Sequence, residues 1–264
     1  MNASTLPVER VPLQPGSEGH KRAFCRMLLD THDPYRPKAI EWPELPPDAL
    51  ARLTSLPIWN IAVQVEGKAS ISVRTYAGTT NNPLLREAVE PNAFEEARHK
   101  DVLGHMVSSY GIRLEPEPDY EPPRDPEWAF MKTGFSECID SFFAFGLFAL
   151  AKRSGYFPPA LVDTFEPVIQ EECRHILFFV NWVAWHRRNL PPWKRPIFAA
   201  RVLAVWIVLI WERINTPKAS AARPMTTTSR SPAAIPSAST SRRETCSISA
   251  RPRTIGGWRF SIGG

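Results

Sequence analysis

One pentapeptide pattern occurs twice in this chain, and it constrains the fold more than any other feature. The copies are Glu95-Glu96-Ala97-Arg98-His99 and Glu171-Glu172-Cys173-Arg174-His175, both reading E-E-x-R-H. Each stands in a stretch whose apolar residues recur at helical spacing, and helix residues three apart share a face one turn apart. Glu96 with His99, and Glu172 with His175, can therefore each offer an oxygen and an imidazole nitrogen to one metal ion. A single Glu-x-x-His is commonly a solvated charge pattern. Two copies on separate helices ask for a fold that sets those helices face to face.

The rest of the chain supplies such helices, because β-type alternation is nearly absent and the expected fold is all-α. Residues 1–19 read as a disordered arm and 20–56 as a short helical extension, with helical patterns at Lys21–Asp30 and near Asp48–Leu56. From 57 to 190 four longer helices are expected. The first covers about Ile58–Tyr76. The second follows Pro91 and ends at Tyr110, with Gly111 closing it. The third opens on the Asp125-Pro126 cap and runs to about Arg153, and the fourth runs from Pro158-Pro159 to Asn189 with a bend at Pro167. The connection from Gly111 to Asp125 is proline-rich. At ~3.1 Å per residue it reaches ~45 Å, more than the ~28 Å of a 19-residue helix, so it can return to the opposite end of a bundle. A four-helix bundle with one long crossover is the ferritin-like topology.

Such a bundle needs one further inward carboxylate from each remaining helix. Glu66, the one acid of the first helix, is flanked by Val63, Val65 and Ala69; Glu137 sits between Phe135 and Ile139 in the third. Glu96 follows Glu66 by 30 positions and Glu172 follows Glu137 by 35, as two equivalent helical hairpins would place them. Over roughly Ile58–Asn189 the chain thus resembles the ferritin-like di-iron carboxylate superfamily. Its E-E-x-R-H form looks most like the oxygen-activating branch of monooxygenases and acyl-carrier-protein desaturases, although monooxygenases usually carry Asp where Glu95 and Glu171 stand.

The resemblance implies a metal centre of Glu66, Glu96, His99, Glu137, Glu172 and His175, holding two Fe ions, or Mn/Fe or Mn in their place. It implies O2 and a small organic or lipid-like substrate as reactants, an electron donor such as a ferredoxin, and a homodimer as an assembly open to the chain. Four carboxylates neutralise two divalent ions, and ligating imidazoles usually give their second N–H to a carboxylate. Asp140, one turn after Glu137, is expected in that supporting role, with Glu95, Glu171, Arg98 and Arg174 completing the network. Thr133 and Gly134 before Glu137, and Ser141 after it, are small enough to leave room for dioxygen or substrate; Thr133 and Ser141 are the candidate catalytic hydroxyls, Ser141 as a proton relay. Phe135, Phe142, Phe143, Phe145 and Phe148 with Phe178, Phe179, Trp182 and Trp185 read as core more than as a substrate box. Cys173 lies off the ligand face and reads as a small buried hydrophobe.

Charge and composition narrow the alternatives. The formal charge is +5, but eight basic residues and one acid follow Asn215, leaving −2 for residues 1–215. That body argues against a nucleic-acid partner. The four cysteines have no zinc-type or disulfide spacing, and the first residues show no secretory signal, so the expected compartment is cytoplasmic. Residues 191–215 form an additional apolar helix, about Pro196–Ile214. Its apolar run 197–211 is too short to span a bilayer and is expected to pack on the bundle or to touch a membrane surface. Residues 216–264, with 16 Ser and Thr, five Pro and one acid, read as a disordered Ser/Thr/Pro/Arg-rich tail. A composition break this sharp raises a replaced reading frame, which retranslating the gene would test. The function expected is an O2-activating oxidase or hydroxylase. A ferroxidase or iron-handling protein and a catalytically silent metal-binding bundle are the alternatives.

Overall fold

A computed structural model describes residues 13–221, apart from the side chains of Ser141 and 216–221. All regular structure among these residues is helical. It comprises α1 (Glu18–Thr31), a 3₁₀ turn (Pro37–Ala39), α2 (Pro47–Ser55), α3 (Trp59–Thr79), α4 (Pro83–Ser109), α5 (Pro126–Ser154), α6 (Pro159–Thr164), α7 (Glu166–Asn189) and α8 (Lys194–Ala221). The expectations for residues 1–12, and for the tail beyond Ala221, lie outside the described residues. The last helix runs through Asn215, where the composition changes.

Two helix starts differ from the sequence expectation, for local chemical reasons. The Asn82 side chain accepts from the Leu85 amide at 3.1 Å, and Pro83 supplies the preset φ of a first helical residue. α4 therefore begins eight residues before Pro91, which sits inside it. An interior proline costs a hydrogen bond, and the buried face of Ala88, Val89, Asn92 and Ala93 holds the helix through it. The fourth expected helix is two: Pro167 cannot donate to the preceding turn, and the chain breaks at Phe165 between α6 and α7. At the end of α4, Gly111 takes φ +68°, and the Ile112 amide reaches back to the Val107 carbonyl at 2.8 Å.

α3 packs against α4 and α5, and α7 packs against α5 and α4, closing a ring of four helices. Neighbours run antiparallel. Glu95 meets His175 while His99 meets Glu171 across α4 and α7, and Glu127 meets His186 at one end of the α5/α7 pair while Lys152 meets Glu166 at the other. α4 and α5 are therefore parallel, and the connection 110–125 has to travel back the length of the bundle. It does so along α3 and α4: Glu115 N–H donates to Asn60 Oδ1 and Tyr120 lies over Gly67 on α3, while Glu117 pairs with Lys100 on α4.

The apolar core fills one end of this ring. Tyr76 stacks on Phe130 with centroids 4.2 Å apart, and Trp182 donates its indole N–H to the Tyr76 oxygen at 2.8 Å. Phe178, Phe179 and Met131 are buried beside them. α1 lies against α4 and α7, with Phe24 edge-on to Phe178. The aromatic stripe read as core divides here: its members on α7 and Phe135 pack inward, whereas Phe142 and Phe143 are exposed. α8 packs on α5 and α7, burying Phe198, Val205 and Leu209, with Phe198 against Trp182 and His186 of α7; it runs parallel to α5, with Arg201 bound to Asp125 and Arg213 to Asp140.

Candidate metal centre

The six residues picked out by spacing come together between α3, α4, α5 and α7. Ligand atoms of Glu66, Glu96, His99 and Glu172 lie within 4.8 Å of one another, as do those of Glu96, Glu137 and His175. Glu96 belongs to both groups. Each helix contributes because its inward face, apolar at the core end, turns acidic at this level: α3 gives Glu66, α5 gives Glu137, and α4 and α7 give the E-x-x-H pairs.

Both histidines sit in the same way. On its outer side, His99 donates from Nε2 to Glu171 at 2.7 Å, and His175 donates from Nε2 to Glu95 at 2.7 Å. The acid before each ligand glutamate therefore serves the histidine of the other copy, so the motifs interlock crosswise. With Nε2 as the donor, the neutral imidazole carries its lone pair on Nδ1. These Nδ1 atoms face inward, His99 Nδ1 3.0 Å from Glu172 Oε1 and His175 Nδ1 2.8 Å from Glu96 Oε1. Despite those distances His99 Nδ1, His175 Nδ1 and Glu96 Oε1 are buried without a hydrogen-bond partner. Buried polar atoms are rarely left so. Inward lone pairs and carboxylate oxygens converging on one space fit a metal cation, and the residues present could hold one.

Electrostatics favour the same reading. Burial, then the neighbouring Glu172 and Glu96 charges, push the carboxyls of Glu66 and Glu137 well above the usual carboxylate range. Burial also acts on Glu172, but the adjacent His99 imidazole and the charges of His99 and His175 outweigh it and lower its pKa. Burial disfavours charge on the two imidazoles, yet Glu171 and Glu172 hold the His99 pKa well above its usual value, and Glu95 and Glu96 do the same for His175. Without a cation the cluster keeps its charge down by holding protons on acids and imidazoles.

Behind the histidines stands a layer only half read from the sequence. Arg98 is 2% exposed, donates to Glu171 at 2.5 Å and to the Asp33 carbonyl at 2.6 Å, and stacks over Tyr35 at 3.9 Å. Arg174 lies more openly, 3.4 Å from Glu95. Burial would raise the Glu95 pKa, but His175, His32 and Arg174 hold it at about 2. His32, whose ring meets Glu95 at 2.6 Å, belongs to the loop after α1, as do Asp33 and Tyr35. None of the three was expected: no helical periodicity reaches the loop, and only the docking of α1 carries it to the site.

Other expectations are corrected. Asp140 touches neither histidine; it lies at the surface, bonded to Arg213 and Ser136, because its position one turn past Glu137 faces α8 instead of α4 or α7. Gly134 leaves no room for dioxygen. A Cβ there would sit 2.2 Å from the Phe179 ring, so the small residue allows close helix packing. Cys173 is half-buried, and burial raises its thiol pKa. The Ser141 side chain lies outside the described set, and its relay role with it. Thr133 lines a cavity of about 880 Å³ that Glu66, Glu96, His99, Glu137 and Glu172 also line. Glu66 and Glu172 keep part of their surface open to it. Its other walls are largely apolar, including Ile61, Val65, Val102 and Leu103, with the loop 118–123 along one edge.

No protein-family model, no curated protein and no solved structure matches the chain.

Proposed function

We propose that this chain is a ferritin-like di-iron carboxylate protein that uses O2 to oxidise a small organic or lipid-like substrate in the cavity beside the metal centre. The observation that carries the reading is the crossed pair of histidines, each with Nε2 tied to a carboxylate of the other motif and Nδ1 unpartnered among acids. The antiparallel ring with its returning connection supports the ferritin-like assignment.

Glu66, Glu96, His99 and Glu172 would hold one ion, and Glu137 and His175, with Glu96 shared between the two groups, the other. Four carboxylates match the charge of two divalent ions. When bound, the iron pair supplies the electrons and the open coordination positions that O2 reduction needs.

The chain's own residues do the rest. Glu95 and Glu171 fix the tautomer and direction of both imidazoles, a support typically worth 10–100-fold in metal affinity. Arg98, Arg174 and His32 hold those two acids in place. Val102 and Leu103 limit water around the centre, and Thr133 offers a hydroxyl one turn before Glu137. Protons held on His99, His175, Glu66 and Glu137 leave as cations enter, so metal uptake strengthens as pH rises.

The test is anaerobic titration with Fe(II) followed by O2, with iron and O2 counted per chain. Oxidation stopping near about two irons, with a coloured centre that a reductant recycles, supports the proposal. Retention of many irons per chain in a mineral core would replace it with iron storage, and failure of the chain to take up metal would leave a silent bundle.

A further inference from the structure

The second half of α5 is unlike the rest of the bundle. Residues 142–150, FFAFGLFAL, hold no charged or hydrogen-bonding side chain. Phe142, Phe143, Leu147 and Leu150 are between 60% and 74% exposed. At about 100° per residue, the exposed positions 142, 143, 144, 146, 147, 149 and 150 cover about 220° of the helix, and Phe145 and Phe148 face the fold. By length and composition α5 could cross a membrane, yet only 6% of its most apolar window is buried inside the fold. A core helix of that composition would be mostly covered.

Resting on the function proposed above, we propose that this segment seats the protein on a lipid bilayer, and that apolar substrate enters the cavity from the lipid. The breadth of the exposed arc selects the occupant. A protein surface packs on a helix along a stripe of about 100°, whereas lipid closes around whatever is inserted. Nine residues span ~13 Å, too little for the ~30 Å hydrocarbon core, so the segment lies within one leaflet as interfacial helices do. One turn beyond Leu150, Arg153 has no ion pair among the described residues, and Arg52, paired with Asp48, stacks on exposed Tyr156 at 4.8 Å. The nearby acids Asp163 and Glu166 are held by Lys152. Guanidinium and tyrosine at the end of an apolar segment suit the headgroup level.

The same segment reaches the metal centre. Ala144, at the edge of the exposed arc beyond Leu147, lines the cavity that holds Glu137 and Glu172, together with Phe165 and Ile169. A hydrocarbon chain leaving the leaflet at Ala144 would run along Phe165, Val168 and Ile169 toward the carboxylates, with the polar Ser136 and Asp140 on the α5 side of the cavity.

The experiment is flotation of the full chain with phosphatidylcholine vesicles, with and without phosphatidylglycerol. The zwitterionic vesicles remove any attraction from the eight cations after Asn215. The wild type should float with both. F143E/L147E changes two exposed side chains, so it should keep its circular dichroism and thermal stability while binding zwitterionic vesicles at least about ten-fold more weakly. Arg153→Glu should weaken binding about five-fold, and only on the anionic vesicles.

Equal flotation of wild type and F143E/L147E, or none by the wild type, overturns the proposal. So does a wild-type dimer in light scattering that F143E/L147E splits, since a second copy would then be the occupant. Iron content and O2 uptake, measured without vesicles, report on the metal centre separately: a chain that floats but takes up no iron refutes the function and leaves the docking face standing.

Discussion

The two E-E-x-R-H copies share four of five residues, yet the tertiary structure treats them differently. In α4 the copy is sealed: Arg98 is stacked on Tyr35 and bonded to the Asp33 carbonyl, and Glu95 receives His32 in addition to His175. In α7 the copy is looser. Arg174 keeps 18% of its side chain exposed and reaches only Glu95 and Glu171, at 3.4 and 3.8 Å. The difference comes from the loop after α1, which covers the α4 arginine and not the α7 arginine. Equal motifs thus give equal inward ligands but unequal support, because the ligands face a near-symmetric centre and the outer residues face different neighbours.

The arginines should separate the copies most sharply. Arg98→Ala leaves Glu171 short of a buried partner and should cost ~3–5 kcal/mol in chemical denaturation, whereas Arg174→Ala, at a half-open position, should cost below ~1 kcal/mol. Similar losses would show that the loop does not distinguish the two. Next in size are Glu95→Gln and Glu171→Gln. Each should lower metal affinity ~10–100-fold by loosening the histidine it holds, read by competition with a chelating dye, and the crosswise geometry predicts that E95Q disturbs the His175 resonance and E171Q that of His99. The opposite assignment would break the interlock.

A pH series sharpens the same picture. The raised pKa values of Glu66, Glu137, His99 and His175 mean that the stability they give the metal-free protein is complete at low pH and fades as pH rises through those values. The lowered values of Glu95 and Glu172 act the other way, their contribution being present above about 4.5 and lost toward about 2 for Glu95. Metal-free Tm should therefore fall on the alkaline side, and the Tm increase on adding Fe(II) or Mn(II) should grow between pH 5 and 8. A pH-independent increase would count against proton displacement at this centre. A further small effect is expected from His32→Ala, about 1 kcal/mol, acting through Glu95 on His175, with metal stoichiometry unchanged.

Much of the site was legible because helical spacing is a local rule. Glu96 to His99 and Glu172 to His175 share a face by backbone geometry alone, and Glu66 and Glu137 stood out as acids in apolar surroundings. Asp140 was misassigned for the same reason: spacing puts it one turn from Glu137, but 60° around the helix is enough to turn it toward α8 and Arg213. The start of α4 was misread where two prolines competed, although Asn82-Pro83 is the same cap signal as Asp125-Pro126.

By itself, then, the sequence determined the helices, the long connection and the six inward residues, since these depend on periodicity, caps and prolines within a turn or two of each position. Only the tertiary structure decided the crosswise pairing of Glu95 with His175 and Glu171 with His99, the burial of Arg98 by a loop more than sixty residues away, the Phe179 ring over Gly134, and the exposure of residues 142–150. Each depends on which element packs against which, and that choice is settled by burial summed over the whole chain, a quantity no local window contains.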